Sequence, residues 1–130
     1  MNHDARIIRL NSEFNPDSMK RWLGDSIGRW EGNTLVVKTK NHHPQQKFRA
    51  AIRHQILISE GAEITERFTR VANNEILYQF EVNDDEAYKD VWKGEMPLRA
   101  SQEKIYEYAC HEGNYAMANI LAGARAEEEN

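Results

Sequence analysis

Apolar and polar residues alternate along most of the chain in short segments, and turn-forming residues separate these segments. A period of two places successive side chains on opposite faces of a β-strand, so one face meets a core and the other meets water. The pattern therefore predicts an antiparallel sheet of six or seven strands. The predicted strands cover residues 6–10, 27–31, 35–39, 64–71, 76–82, 91–99 and 105–110.

Two hairpins stand out in this pattern. Gly32-Asn33 joins the second and third segments, and this pair suits the positive φ of tight hairpin turns. Residues 72–75 join the fourth and fifth segments, which are equally regular. Pro97 has no N–H to donate to a neighbouring strand, so the sixth strand is predicted at an edge or a bulge.

Two segments have helical spacing instead. After residue 113 the period changes, with Asn114 as a candidate N-cap. Apolar residues then follow at helical intervals, so a C-terminal amphipathic helix is predicted. A short helical turn is also predicted around Trp22. The apolar positions are Met117, Ile120, Leu121 and Ala124 in the first segment, and Met19, Trp22 and Leu23 in the second.

The predicted fold is mainly β. A curled sheet has to cover its inner face, and a single helix is too small to do so. Closure into an antiparallel, lipocalin-like barrel or half-barrel solves this problem. With 130 residues the chain has the size of one domain, so residues 1–130 are predicted to form a single β-barrel-like domain with a C-terminal helix.

Composition excludes several classes of protein. No apolar run approaches the roughly 18 residues of a membrane helix, so no membrane association is expected. Residues 1–10 lack the pattern of a signal peptide, and the localisation stays open. A single cysteine, Cys110, excludes an internal disulfide framework, and its expected fate is burial as a small apolar residue. A net charge of −4 argues against nucleic-acid binding.

Charge is distributed unevenly. Residues 1–65 contain 10 Lys and Arg against 7 Asp and Glu, whereas residues 66–130 contain 7 against 14. No acidic residue occurs in residues 32–59, where Arg49 and Arg53 are candidates to bind an anionic ligand. The alternative is a surface strip that faces the acidic second half, within the fold or across a homodimer.

Three sequence blocks resemble a group of bacterial proteins of unestablished function. Members of that group typically read WEGDTLVV, then an ERF-type strand and a YEYxCxE-type strand. The resemblance implies the predicted β fold and supplies no reaction. Many members are secreted or periplasmic in full length, which implies that this chain is a shorter relative or a mature domain. The blocks here are GDSIGRWEGNTLVVKT, ITERFTRV and IYEYACHEGNY, and Asn33 stands where Asp is common in the group.

Glu66 is the first candidate catalytic residue. It shares a strand face with Ile64 and Phe68, so an interior location would desolvate its carboxylate, as general-base catalysis requires. Arg70 lies on the same predicted face. The structural alternatives are an internal Glu66–Arg70 ion pair or a face of an edge strand that meets solvent. Asp25, in a glycine-rich turn, is expected to cap its own backbone.

His111 and Tyr108 are the other candidate catalytic residues. His111 follows the last predicted strand, at a rim where a general acid or base often lies, and Tyr108 could donate a hydrogen bond. The alternative for His111 is a hydrogen bond to the start of the helix. Trp30, Tyr78 and Trp92 are candidate ligand-binding aromatics, with core packing as their alternative.

No metal and no cofactor are expected. His42 and His43, with His54 nearby, lack further ligands at suitable spacing, and no phosphate loop or nucleotide-binding motif occurs. Two functional hypotheses remain. One is a small-molecule-binding barrel, extended to a cofactor-free isomerase, lyase or hydrolase that acts on an anionic, partly apolar compound. The other is a non-catalytic ligand-binding or assembly module that forms a homodimer through an edge strand.

Overall fold

The computed structural model describes residues 5–47, 58–104 and 114–128. Residues Ala5–Ser101 form one compact unit, and the described residues from Gln102 onward belong to a second. The first unit holds six strands and a 3₁₀ helix, Pro44–Lys47. The strands are β1 (Ile8–Leu10), β2 (Asp25–Glu31), β3 (Thr34–Lys40), β4 (Glu63–Ala72), β5 (Glu75–Asn83) and β6 (Trp92–Arg99).

These strands form one mixed sheet in the order β1-β2-β3-β4-β5-β6. Strands β2 to β6 are an antiparallel meander, as the alternation predicted, and β1 joins β2 in parallel. The predicted β-rich fold is therefore confirmed, except for the direction of β1. In the described part of the chain β6 pairs on one side alone, which confirms Pro97 in an edge strand.

The sheet is not closed into a barrel. In the described ranges, β1 and β6 are the two ends of the strand order, and neither pairs with the other. A barrel would require these two edges to meet, and β1 offers just three residues, already paired with β2. The predicted seventh strand, residues 105–110, lies outside the described residues.

Both predicted hairpins are present. Gly32-Asn33 is a two-residue turn closed by the pair Glu31 and Thr34, with a positive φ of 59° at Gly32. Asn33 Nδ2 donates to the carbonyl oxygen of Arg70 at 2.9 Å, which the side chain of an ionised Asp could not do. The β4–β5 hairpin turns at residues 73–74.

The C-terminal helix is confirmed as α1 (Ala116–Glu128) in the second unit. Asn114 caps it, because the Ala116 N–H donates to Asn114 Oδ1 at 3.0 Å. Its apolar residues Met117, Ile120 and Leu121 are exposed. None of the described helices has the length and apolar character needed to span a membrane.

The predicted helical turn around Trp22 is wrong. Arg21 instead forms a parallel bridge with His42. The Arg21 N–H donates to the Asn41 carbonyl at 3.0 Å, and the His43 N–H donates to the Arg21 carbonyl at 2.9 Å. These bonds tie the segment before β2 to the residues after β3. Trp22 and Leu23 form a single hydrogen-bonded turn rather than a helix, because the Gly24 N–H donates to the Arg21 carbonyl at 3.1 Å.

Buried polar side chains are prominent in the sheet. Asp25, for example, accepts hydrogen bonds from Arg9 Nη2 at 2.8 Å and from the backbone and side chain of Asn15 at 2.8 and 2.9 Å. The prediction that Asp25 caps its own backbone is therefore wrong. Among the described residues the buried apolar side chains are Val36, Val37, Ala62 and Val82, and the buried polar ones are Asp25, Ser26, Thr39, Asn41, His42, Ser59, Glu66 and Asp84.

A close ring contact makes Gly94 a sensitive position. A Cβ atom at Gly94 would lie 2.6 Å from Phe80 Cζ, so the Phe80 ring covers the β6 backbone where a side chain would otherwise stand. We predict that Gly94→Ala displaces this ring and lowers the free energy of unfolding by about 1–3 kcal/mol. Denaturant unfolding measures the change.

Gly61→Ala is the matched control. A Cβ atom there meets Ser59 Oγ at an ordinary 3.6 Å, so stability should stay within about 1 kcal/mol of wild type. Equal effects of the two substitutions would show that the Phe80 contact does not constrain Gly94.

Candidate functional site

Glu66 lies near the middle of β4, opposite Val37 on β3 and Phe80 on β5. The residue is 7% exposed. Its Oε1 accepts a hydrogen bond from the Tyr78 hydroxyl at 3.0 Å. Its Oε2 lies 2.7 Å from Arg6 Nη1. We call Arg6, Glu66 and Tyr78 the Glu66 cluster.

The two oxygens of Glu66 differ in their bonding. Oε1 is a hydrogen-bond acceptor, whereas Oε2 is buried and has an ion-pair contact with no aligned hydrogen bond from the described residues. Such an atom is costly to bury, because it has given up water without a full replacement. Oε2 is therefore the carboxylate oxygen whose hydrogen-bonding capacity the described residues leave incompletely used.

Sequence reasoning missed Arg6. Arg6 precedes β1 and shares the alternation of Ile8 and Leu10, which was a signal that its side chain faces the same way. The side chain is 27% exposed and also donates to Thr39 Oγ1 at 3.4 Å. Only the pairing of β1 with β2 brings it to Glu66, and that pairing joins residues far apart in sequence.

Gly28 makes room for β1. A Cβ atom at Gly28 would lie 2.8 Å from Ile8 Cγ2 and 3.1 Å from Leu10 Cδ2. The two β1 side chains therefore pack directly over the β2 backbone. Close packing at this point fixes β1, and β1 in turn leads to Arg6.

The predicted Glu66–Arg70 ion pair is not formed. Arg70 Nε and Nη2 donate to the backbone carbonyls of Ala72 and Asn73 at 3.3 and 2.7 Å. A register shift between Arg70 and Ala72 disturbs the end of β4, and Arg70 bonds there to the hairpin turn. The cation that neutralises Glu66 is Arg6.

Tyr78 is a neutral hydrogen-bond donor in this site. Burial raises the pKa of Tyr78 to about 12, and the negative charge of Glu66 and the hydrogen bond to it act in the same direction. Its phenol therefore stays protonated at neutral pH. It can donate a hydrogen bond to Glu66 or to an oxygen of a bound molecule.

A hollow of about 370 Å³ opens beside the Glu66 cluster. The cluster forms its polar part, and Tyr78 is thereby in the place predicted for a ligand-binding aromatic. Apolar side chains form the rest of its wall, so a ligand there would contact mostly hydrocarbon next to one ionic group. These apolar residues are Ile58, Ile64, Phe80, Val82 and Met96.

The two tryptophans predicted as ligand contacts are not among the residues that line this hollow. Trp92 packs edge-on against Phe80, with ring centroids 5.2 Å apart, and contacts Tyr88 at 6.0 Å. Trp30 is 58% exposed and pairs with Leu35 near the β2–β3 turn. Trp92 thus supports a lining residue, whereas Trp30 lies at the other end of the meander.

Four further candidates lie outside the described residues: Tyr108, His111, Arg49 and Arg53. Cys110 and His54 do so as well. Within the described ranges, no group of three or more His, Cys, Asp or Glu side chains is placed to hold a metal ion. His43 stacks on Trp22 with ring centroids 4.3 Å apart.

The opposite face of β4–β6 carries a second hollow of about 430 Å³. Its polar side chains pair across the strands: Lys93 Nζ forms an ion pair with Glu81 Oε1 at 3.1 Å, and Gln79 Nε2 donates a hydrogen bond to Glu95 Oε2 at 3.0 Å. Arg67 pairs with Glu31 at 3.1 Å. These are exposed pairs, typical of the solvent face of a sheet, and each contributes little to stability.

Comparison of the chain with protein-family models, with curated proteins and with solved structures finds no match. The resemblance to the bacterial group therefore stays a prediction from the three sequence blocks.

Arg6 and Arg70 can be distinguished by substitution. We predict that Arg6→Ala lowers the free energy of unfolding by about 2–3 kcal/mol, since it leaves Glu66 buried without its counter-charge. The estimate is at the low end for a buried pair because Arg6 is partly exposed. Denaturant unfolding at neutral pH measures it.

Arg70→Ala is the control and should cost less than about 1 kcal/mol, because Arg70 makes exposed contacts to backbone carbonyls. If Arg70→Ala were the more destabilising of the two, the assignment of Arg6 as the partner of Glu66 would be wrong.

Proposed function

We propose that this protein binds a small, anionic, partly apolar organic molecule in the hollow beside the Glu66 cluster. The observation that carries the proposal is a buried ion pair with an incompletely bonded carboxylate oxygen at the edge of an apolar hollow. Proteins commonly build small-molecule sites from apolar walls with a few polar groups. The proposal includes a lipocalin-like half-barrel, in which the face that carries Glu66 curves around the ligand.

Arg6 is the proposed anchor for the anionic group. Its guanidinium carries several donors, and Nη1 alone makes the described contacts to Glu66 and Thr39. A carboxylate or sulfonate of the ligand would bind the partly exposed guanidinium from the hollow. The apolar part of the ligand would then lie over Phe80 and Met96. Arg49 and Arg53 stay proposed as additional anion contacts.

A catalytic role is an extension of the same proposal. Glu66 Oε2 would accept a proton from the ligand, and Tyr78 would donate a hydrogen bond to the ligand oxygen that gains negative charge. Returning the proton from Glu66 to a different ligand atom completes an isomerase step, and passing it to a group that leaves as a new double bond forms completes a lyase step. In a hydrolase step Glu66 would instead take the proton from a water that attacks the ligand and pass it to the leaving group. His111 and Tyr108 stay proposed as further acid–base groups, and no cofactor enters these steps.

Two dyes of the same aromatic skeleton test the binding site. Anilinonaphthalene sulfonate is anionic and partly apolar, and N-phenyl-1-naphthylamine lacks the sulfonate. We predict that the protein binds the sulfonate and that Arg6→Gln weakens this binding about tenfold, or roughly 1.4 kcal/mol. Binding of the neutral dye should not change. Fluorescence titration measures both affinities.

Glu66→Gln should shift the affinity in the opposite direction. It removes the charge that neutralises Arg6 while leaving an oxygen for Tyr78, so sulfonate binding should strengthen. Arg67→Gln, on the opposite face, should change neither affinity. Near-UV circular dichroism controls for loss of packing. Equal loss of both dyes in Arg6→Gln would contradict the anion site.

A homodimer formed through β6 is the second candidate function. In the described part of the chain this strand pairs on one side. Met96 and Leu98 are exposed apolar residues on it, and Val91, immediately before it, is exposed as well. An edge strand with exposed apolar side chains is a surface onto which a second copy can add. Pro97 restricts the added hydrogen bonds to the positions around it.

Sedimentation velocity tests this candidate. We predict a concentration-dependent dimer for the wild type and a monomer for Leu98→Lys. Ile7→Lys is the control, since Ile7 is an exposed apolar residue immediately before β1, the other edge strand. A wild type that stays monomeric at high concentration, or a dimer that Leu98→Lys leaves intact, would rule out assembly through β6.

A further inference from the structure

His42 is a buried histidine that the proposed function does not use. It follows β3 and is 2% exposed. Neither ring nitrogen has a hydrogen-bond partner in the described ranges of the chain. A neutral imidazole carries one donor and one acceptor, and a protonated one carries two donors. The site therefore satisfies no polar atom of this ring in either protonation state.

Close packing seals the ring. A Cβ atom at Gly24 would lie 2.8 Å from His42 Cε1 and 2.6 Å from Thr39 Cγ2. Gly24 also has a positive φ of 73°, which glycine adopts without strain. The absence of a side chain at Gly24 thus lets the backbone before β2 cover the imidazole.

The charges around His42 disfavour its protonation. Burial lowers the pKa of His42, and the positive charges of Arg6 and Lys20 lower it further. Asp84 acts in the opposite direction. Its carboxylate is already bound, however, by the Ser59 N–H at 2.6 Å, the Ser59 hydroxyl at 2.7 Å and the Ala87 N–H at 3.3 Å.

Asp84 therefore stays ionised, and its charge offsets only part of the effects that lower the pKa of His42. Burial alone would raise the pKa of Asp84, but the hydrogen bonds from Ser59 and from the backbone at Ala87 and Glu86 lower it overall. The carboxylate is stabilised in place by these bonds. None of the described hydrogen bonds joins this carboxylate to the His42 ring.

His42 also lies within a backbone connection that we call the Arg21 clasp. The clasp consists of the hydrogen bonds from the Arg21 N–H to the Asn41 carbonyl and from the His43 N–H to the Arg21 carbonyl. The stacked rings of Trp22 and His43 lie beside it. His42 is the residue between the two clasp positions on the β3 side.

We propose that His42 is an acid-sensitive latch on the Arg21 clasp: the clasp closes over the neutral ring, and protonation of the ring opens it. Among the described residues the closed site offers an imidazolium no hydrogen bond, and Asp84 does not outweigh burial and the charges of Arg6 and Lys20, so the proton is accommodated by letting the ring reach water. This inference stands apart from the proposed ligand site and does not depend on it.

The sign of the pH dependence follows from linkage. An imidazole in water has a pKa of about 6.5, so the opened state binds a proton below that pH while the closed state does not. The contribution of His42 to clasp stability is fully present above about pH 6.5 and is lost as the pH falls toward the lowered pKa of the closed state. In this window the opening constant rises by up to about tenfold per pH unit.

Amide hydrogen exchange followed by NMR tests the latch in the full chain. We predict that the protection factors of the Arg21 and His43 amides fall by up to about fivefold between pH 6.5 and pH 5.5. Amides of the β4–β5 pair, such as those of Phe68 and Tyr78, should keep theirs. His42→Phe should abolish the pH dependence of the clasp amides, because a similar ring without nitrogens fills the site.

His43→Gln is the matched control and should retain the pH dependence, since His43 Nδ1 is bonded outside the clasp to the Gln45 N–H. If His42→Phe fails to fold, His42→Gln and direct NMR titration of the wild-type His42 ring decide the case. An ordinary titration midpoint for that ring would overturn the proposal. So would an equal loss of protection over the whole sheet, or a pH dependence that persists without His42.

Discussion

Three buried carboxylates determine how the segments outside the antiparallel meander attach to it. Asp25 binds Arg9 and Asn15, and Glu66 binds Arg6 and Tyr78. Asp84 binds Ser59, in the segment before β4. A carboxylate that has lost water must find a cation or donors, and an unpaired one would cost several kcal/mol. Charge and hydrogen bonding therefore hold the segment before β4, and they hold the short edge strand β1 together with the packing of Ile8 and Leu10 over Gly28.

Local sequence patterns predicted most of the strands of the sheet, but they predicted neither the direction of β1 nor that the sheet stays open. Alternation and turn residues located β2 to β6, both hairpins and the cap of α1, because those features depend on neighbours in sequence. The parallel direction of β1 depends on a partner 18 residues away, Ser26 opposite Ile8, and no local pattern specifies it. The predicted barrel failed for the same reason, since closure is decided by the pairing of strand edges that are distant in sequence.

The candidate site was predictable in part. Alternation placed Glu66 and Tyr78 on apolar strand faces, and the β4–β5 register then brought them within hydrogen-bond distance. The partner of Glu66 was not predictable by the same rule. Arg70 shares the alternation, but a register shift near the hairpin leaves it bonded to the turn, while Arg6 arrives through the β1–β2 pairing. A face assigned from alternation is thus reliable inside a regular strand and fails at a bulge.

The spacing of the two arginines around β1 has a consequence for how this strand finds its place. Arg6 and Arg9 are three positions apart, so their side chains reach carboxylates on opposite sides of the sheet, Glu66 on one and Asp25 on the other. A shift of β1 by one residue would turn each arginine to the other face of the sheet and leave both Glu66 and Asp25 without a partner cation. The two ion pairs therefore select the same register of β1, and each would be lost if the other were out of place. A strand of three residues is thus aligned more specifically than its few backbone hydrogen bonds alone would allow.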